Sequence, residues 1–200
     1  MCVFLSTTTR VGKTSILKCL REEEFDDEYE QTDAVYFSTL GYKETSNKKE
    51  IKIQNWDTPG DEKFRTIVTA YCNIANAIVF VYDITNGESF KSLEKYIKEV
   101  KTTASEGCWF FLLGNKLDLI EQNQDQKPRQ VTIDDAKNFA ESNDLIFLGE
   151  CSAKENTYMP GSDEVLYCEE KNLIEKDGKC TEGLHGMLKD IIYKYYASTL

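Results

Sequence analysis

The hydrophobic positions of the chain change their period several times, and each change marks a predicted element. Short apolar runs predict strands at residues 2–5, 77–82, 109–113 and 145–148. The runs at 77–82 and 109–113 lack alternation, which is typical of parallel strands covered on both faces. Two further strand-like runs, 34–45 and 50–57, flank residues 46–49, whose composition is that of a hairpin turn.

Apolar residues recur at helical spacing between these strands. The segments with this pattern are 16–20, 90–100, 136–139 and 184–195. Ser89 is expected to open the second helix, Thr132 with Asp135 resembles a capping box that opens the third, and Asn143 is expected to close it. Strands that alternate with helices specify an α/β fold, a mostly parallel sheet of six strands with helices on both faces.

Residues 155–181 interrupt this rhythm, because they carry many charges, two Gly-containing turns and few apolar pairs. We read the chain 1–200 as one domain with an insertion at about 155–181, before the last helix. Cys168 and Cys180 lie in the insertion. Either they form a disulfide that closes a short loop, or they are two free thiols, which a reducing compartment favours.

The charge and cysteine content of the chain limit the partners and the compartment that we expect for it. The net charge of −11 would repel nucleic acid and anionic lipid, so we expect no nucleic-acid partner and only local contacts to any polyanion. Seven cysteines, mostly in apolar surroundings and without a zinc spacing, indicate a reduced, cytoplasmic protein. The chain ends in Tyr-Ala-Ser-Thr-Leu, so we expect no membrane anchor within it, unless a tail lies beyond the given residues.

Residues 7–15 connect the first strand to the first helix. They end in the second half of the P-loop formula, in which backbone N–H groups wrap phosphate oxygens, a lysine reaches the outer phosphates and a hydroxyl binds Mg²⁺. Thr7 departs from the formula, which begins with glycine. The predicted nucleotide-binding residues of this loop are Thr9, Arg10, Val11, Gly12, Lys13, Thr14 and Ser15.

Three more motifs follow the loop in order. They are Asp57-Thr58-Pro59-Gly60, Asn115-Lys116-Leu117-Asp118 and Ser152-Ala153-Lys154. With the loop, they resemble the Ras-like small GTPases, which have a P-loop NTPase G domain, over essentially the whole chain except 155–181. Residues 56–67 look closest to the Rab branch. The resemblance implies a molecular switch that binds GTP or GDP with Mg²⁺ and acts in vesicle trafficking.

The resemblance also assigns roles in recognising guanine. A carboxylate at Asp118 would accept from the ring N–H and the exocyclic amine, a donor pair that adenine lacks, with Asn115 beside it. Lys116 would pack its stem across the base and ribose, and the backbone N–H of Ala153 would meet the guanine carbonyl. The predicted base-contacting residues are Phe25, Asn115, Lys116, Asp118, Ser152, Ala153 and Lys154.

The resemblance further implies a magnesium site made by Thr14, Asp57 and one threonine of switch I, the loop at residues 25–33. Thr39 lies in a run that mimics a Rab Ser-Thr-Ile-Gly. The family spacing of 19 residues after the P-loop lysine instead indicates Thr32, which we favour over Thr39.

Switch II, residues 58–71 in this chain, departs from the family at its catalytic positions. The resemblance places Lys13, Gly60 and Asp61 in the catalytic machinery, but Asp61 stands where a glutamine orients the attacking water. A shorter, negatively charged side chain cannot donate to the γ-phosphate, so we expect weak intrinsic hydrolysis. Pro59 replaces an alanine and restricts Thr58 toward an extended conformation.

Two alternatives to a working switch stay open. A pseudo-GTPase would hold one nucleotide, or none, as part of an interaction scaffold. A P-loop kinase or ATPase is disfavoured by the motifs at 115–118 and 152–154. Phe37, Trp56 and Tyr71 fall on the aromatic triad with which Rab proteins contact effectors, although core packing would also explain them. The family further suggests a peripheral position at endomembranes, through partners or a missing tail.

Overall fold

The structure is a computed structural model that describes residues 1–6, 9–28, 30–44, 50–121, 128–161, 174–176, 179–180 and 183–197. Thr7, the predicted hairpin turn at 46–49 and Cys168 lie outside these residues. The turn and the Cys168–Cys180 disulfide therefore remain predictions, and the departure at Thr7 is known from the sequence alone.

The described residues form one sheet of nine strands. The strands are β1 (Cys2–Ser6), β2 (Tyr36–Glu44), β3 (Glu50–Asp57), β4 (Ala77–Asp83), β5 (Trp109–Asn115), β6 (Ile146–Ser152), β7 (Thr157–Pro160), β8 (Ile174–Lys176) and β9 (Lys179–Cys180). Their order is β7-β6-β5-β4-β1-β3-β2-β8-β9. The pairs from β6 through β1 to β3 are parallel, and β2 pairs antiparallel with β3.

The predicted α/β fold is confirmed, and the six predicted strands form the central block of the sheet. The sheet is longer than predicted, because β7 adds to one edge and the β8–β9 hairpin to the other. All three lie in the segment read as an insertion. β7 is mostly exposed, so its sequence carries no apolar alternation that would predict a strand.

Seven α-helices are present among the described residues, and none is both long and apolar enough to cross a membrane. They are α1 (Lys13–Leu20), α2 (Arg65–Tyr71), α3 (Gly87–Lys91), α4 (Leu93–Thr103), α5 (Asp118–Glu121), α6 (Ile133–Ser142) and α7 (Leu184–Ala197), with 3-10 turns at Glu62–Phe64 and Cys72–Ile74.

The observed helix ends agree with the prediction at α6 and differ from it at α3. The capping box of Thr132 and Asp135 opens α6, and Asn143 caps its carboxyl end, both as predicted. The prediction that Ser89 opens a helix was wrong, since α3 begins at Gly87 and the Asn86 side chain accepts from the first free amides. The apolar pattern marks the buried face of a helix, whereas the cap lies outside that pattern.

Alternate residues of the central strands pack against helices on opposite faces of the sheet. Val3 and Leu5 of β1 belong to the core that includes the apolar faces of α1 and α7. Phe4 belongs to the core that includes residues of α2, α4 and α6. The parallel strands and β3 all end at the same edge of the sheet, so the residues that follow them converge there.

One buried polar side chain in β3 lowers the free energy of unfolding. Asn55 is fully buried between Val3 of β1 and Ser38 of β2, and neither polar atom of its amide has a hydrogen-bond partner among the described residues. An unsatisfied buried amide costs about 1 to 3 kcal/mol. A hydrophobic residue of similar size would remove that cost.

We therefore expect Asn55→Leu to raise the free energy of unfolding by about 1 to 2 kcal/mol, because it removes the unsatisfied amide. Urea denaturation measures the change. The matched control is Gln54→Leu, which makes a similar change at an exposed position of the same strand and should stay within about 0.5 kcal/mol. Destabilisation by Asn55→Leu would contradict this prediction, and either an internal water on the amide or poor packing of the leucine would cause it.

Candidate functional site

A cavity of about 660 Å³ opens where the central strands end. It is lined by the loop before α1, by switch I, and by the segments after β3, β5 and β6. All the predicted site residues line it except Val11, Ser152 and Asp61. The structure therefore brings together residues that are up to 145 positions apart in the chain, Thr9 and Lys154 being the extremes.

The described part of the loop before α1, residues 9–12, includes two residues with left-handed backbone. Arg10 and Gly12 both have positive φ, 64° and 93°, so the chain turns sharply before the helix begins. A Cβ atom at Gly12 would lie 2.3 Å from Nδ2 of Asn115, which leaves room only for glycine. α1 begins at Lys13, which lines the cavity, so the positive end of the helix dipole lies there and favours an anion.

Lys13 and Asp57 form the charged floor of the cavity. Both are buried, and burial lowers the pKa of Lys13 to about 8, although the charge of Asp57 acts in the opposite direction. Burial raises the pKa of Asp57, against a hydrogen bond from Thr14 and the charge of Lys13. The two charges thus sit where the solvent no longer stabilises them, and an anionic ligand would stabilise the lysine.

The predicted metal ligands lie together at this floor. The hydroxyl oxygens of Thr14 and Thr32 are 2.8 Å apart, and both residues line the cavity with Asp57. Oδ1 of Asp57 is buried and has no hydrogen-bond partner among the described residues. Thr39 lies within β2 opposite Gln54, away from this group. Two hydroxyls and an uncommitted carboxylate oxygen fit Mg²⁺, which prefers oxygen ligands and usually retains waters and phosphates.

Asn115 links the loop before α1 to the segment after β6. Its Nδ2 donates to the carbonyl of Val11 at 2.9 Å, and its Oδ1 accepts from the backbone N–H of Ala153 at 3.2 Å and from the thiol of Cys151. The Ala153 amide, predicted to meet a guanine carbonyl, thus contacts Asn115 in this structure. Val11 acts through its carbonyl, behind the cavity surface.

Asp118 presents a fixed carboxylate at the far end of the cavity. The hydroxyl of Ser152 donates to Oδ1 of Asp118 at 2.6 Å and itself accepts from the backbone N–H of Glu155 at 3.1 Å. Ser152 is fully buried and Asp118 is nearly so. Ser152 therefore orients Asp118 from behind the cavity wall, which leaves the rest of the carboxylate for a ligand.

Two lysines of the same end are positioned by acidic residues that the sequence analysis did not single out. Nζ of Lys116 lies 2.8 Å from Oδ2 of Asp83, at the end of β4, so its stem lines the cavity while its charge is neutralised. Nζ of Lys154 lies 2.9 Å from Oδ1 of Asp27 and 5.5 Å from the centre of the Phe25 ring. The sequence could have indicated a role for Asp83 through its position at the end of a predicted strand.

Asp61 does not line the cavity. It caps the 3-10 turn Glu62–Phe64, where Oδ1 accepts from the backbone N–H of Lys63 at 3.0 Å. Oδ2 accepts from Nε2 of Gln31 at 3.0 Å and lies 3.3 Å from Nζ of Lys63. The amide and ammonium of Lys63 and the Gln31 amide lower the pKa of Asp61, so it is ionised at neutral pH.

The three aromatic residues at the switches form one contiguous surface cluster. The ring of Trp56 lies 5.5 Å from that of Phe37 and 5.6 Å from that of Tyr71, and it stacks on Phe4 beneath. Phe37 is 66% exposed and Tyr71 40%. Core packing therefore does not account for Phe37 and Tyr71, and the cluster presents an apolar surface beside both switches.

The chain is similar to known proteins over most of its length. The model of the Ras family matches residues 3–164. The chain is 34% identical to the Ras-related protein RABA4b of Arabidopsis thaliana over 90% of this chain and 77% of that protein. It is 35% identical to the Ras-related proteins Rab-13 of Canis lupus familiaris and SEC4 of Candida albicans, in both cases over 84% of this chain and 77% of the relative.

Proposed function

The chain belongs to the Ras family, with Rab proteins among its relatives, and from this premise we propose that it is a molecular switch that binds GTP and GDP with Mg²⁺. The observation that carries the proposal is the fixed carboxylate of Asp118 at one end of a cavity whose other end is a phosphate cradle. The cavity volume of about 660 Å³ is within the usual range for small-molecule sites.

Selectivity for guanine follows from the chemistry of Asp118. An ionised carboxylate only accepts hydrogen bonds, and guanine offers it two donors, the ring N–H and the exocyclic amine. Adenine presents an unprotonated ring nitrogen at the same place, which would face the carboxylate with an acceptor. Because Ser152 holds Asp118 in place, this mismatch cannot be relieved by rotation of the side chain.

The phosphate end would hold the charged part of the ligand. Lys13 and the amides at the start of α1 would bind the outer phosphates, and phosphate oxygens would compensate the buried lysine. Thr14, Thr32 and Asp57 would hold Mg²⁺, directly or through water. When bound, the ion supplies neutralisation of the negative charge on the phosphates.

We expect hydrolysis to be weak, since Asp61 stands in place of the water-orienting glutamine and its carboxylate is engaged by Gln31 and Lys63. Intrinsic hydrolysis in Ras is about 10⁻⁴ per second even with that glutamine. GTP hydrolysis by this chain should be slower. Whether GTP or GDP is bound should then depend mainly on nucleotide exchange.

Asp61→Gln should raise the rate of GTP hydrolysis several-fold, because it restores an amide that can orient water and removes a negative charge from switch II. The rate is measured in a single turnover of bound GTP. Asp61→Asn, which removes the charge but is one methylene shorter, separates the two effects. An unchanged rate for Asp61→Gln, with GTP still bound, would mean that Pro59 or the altered phosphate loop limits the reaction instead.

The exposed cluster of Phe37, Trp56 and Tyr71 would contact effectors and regulators, because Tyr71 belongs to switch II and Phe37 lies in β2, the strand that follows switch I. By analogy with Rab proteins, we place the function in vesicle trafficking, with the protein cytoplasmic or peripheral at endomembranes through its partners. Anion-exchange analysis of nucleotide released by boiling the purified protein tests occupancy: GDP or GTP supports guanine-nucleotide binding, which both the switch and a nucleotide-holding scaffold allow, and an empty, folded protein favours a scaffold without nucleotide.

A further inference from the structure

The carboxylate of Asp61 contacts protein groups that a role in hydrolysis does not explain. Both oxygens of its carboxylate are engaged by protein donors, one by the amide of Lys63 and the other by the side chains of Gln31 and Lys63. Gln31 belongs to switch I and is 30 residues away in sequence, whereas Lys63 belongs to switch II. The carboxylate of Asp61 therefore joins the two switches directly.

The Gln31 contact acts at a sensitive point of switch I. Gln31 directly precedes Thr32, whose hydroxyl lies 2.8 Å from that of Thr14 in α1. Fixing Gln31 therefore restricts the backbone that presents Thr32 to the floor of the cavity. At the other end of switch I, Asp27 pairs with Lys154. Both ends of the loop are thus held over the cavity by contacts between protein groups alone.

A charged acceptor at position 61 is well suited to this contact. A carboxylate forms a stronger hydrogen bond with an amide donor than a neutral amide oxygen does. Its short side chain also allows it to cap the 3-10 turn at the same time, which fixes its direction toward Gln31. The replacement of glutamine by Asp61 thus removes a water-orienting group and adds a fixed acceptor for switch I.

We propose that Asp61 is a positioning residue that holds switch I closed over the cavity through Gln31, and that this contact slows nucleotide release whether or not a γ-phosphate is present. The inference rests on the proposed function, because it concerns the residence time of the nucleotide at that site. It adds that switch I closure depends on a bond within the protein as well as on the ligand.

The test is a double-mutant cycle on the release of GDP. Wild type, Gln31→Ala, Asp61→Ala and the double variant are loaded with a fluorescent GDP analogue and chased with excess GDP in Mg²⁺. Each single variant should release the analogue about 3- to 10-fold faster, because one partly exposed, charge-assisted hydrogen bond is lost. The double variant should release it no faster than the faster single variant.

Glu62→Gln is the matched control. Its carboxylate neighbours Asp61 but pairs with Arg65 in switch II, and it forms no hydrogen bond or ion pair with the described residues of switch I, so the release rate of this variant should stay within about twofold of wild type. Release from Gln31→Ala at the wild-type rate, or single effects that multiply in the double variant, would overturn the inference.

A second measurement separates this inference from the proposed function. Amide hydrogen exchange of residues 30–33 in the nucleotide-free chain should be faster in Gln31→Ala than in wild type and unchanged in Glu62→Gln. A folded protein that binds no GDP would overturn the proposed function, and with it the effect on release, while exchange would still report the contact. Equal exchange in Gln31→Ala and wild type would overturn the contact itself.

Discussion

Asp118→Asn should weaken GDP binding by about 100-fold or more and should create affinity for xanthosine diphosphate. The carboxylate would accept two hydrogen bonds from guanine, and losing charge-assisted bonds of this kind costs about 1.5 to 3 kcal/mol each. Xanthine carries a carbonyl where guanine carries the exocyclic amine, so the amide of asparagine can donate to it and still accept from the ring N–H. Isothermal titration of each nucleotide measures both changes.

Ser152→Ala is the matched control for this reversal. It removes the hydroxyl that orients Asp118 but keeps the carboxylate, so GDP should bind more weakly while guanine remains preferred over xanthine. If Asp118→Asn binds GDP as tightly as wild type, Asp118 does not contact the base. The guanine assignment would then lose its main physical support.

Lys13→Ala should abolish measurable binding of GDP, and this is the second large effect. The change removes a buried cation whose charge would compensate both the phosphates and the nearby carboxylate of Asp57. Leaving a buried charge unpaired typically costs about 3 to 5 kcal/mol. The affinity is measured by titration, and a thermal melt of each variant without nucleotide shows whether the fold is retained.

Lys18→Ala provides the comparison on the same helix. Lys18 also lines the cavity, but it is half-buried, and the lysine of the P-loop formula is Lys13. Its removal should change the affinity for GDP by no more than about threefold. Retained binding in Lys13→Ala, in a folded protein, would contradict a P-loop mode of phosphate binding.

Most of the central sheet and the place of the cavity could be predicted from the sequence. Strands buried on both faces have continuous apolar runs, and such runs marked β4 and β5 directly. The ends of parallel strands share one edge, so the motifs that follow β1, β3, β5 and β6 had to meet there. The capping box at Thr132 was also visible, because it depends on residues three positions apart.

The remaining features depend on contacts between distant residues with no local pattern. The pairs Asp27–Lys154, Asp83–Lys116 and Gln31–Asp61 are set by the packing of loops that are far apart in sequence. The strands β7, β8 and β9 are short and lie at the two edges of the sheet. They are strands because they pair with a neighbouring strand, and their own sequences do not indicate this. The start of α3 was missed because Asn86 lies outside the apolar stripe.

The central claim is that this cavity binds guanine nucleotides selectively. The most direct test is calorimetric titration of the nucleotide-stripped, folded chain with GDP and, separately, with ADP, in Mg²⁺ and at tens of micromolar protein. The proposed function predicts saturable binding of GDP and no detectable binding of ADP under the same conditions. Equal binding of the two nucleotides, or no heat with GDP from a protein that still melts cooperatively, would contradict it.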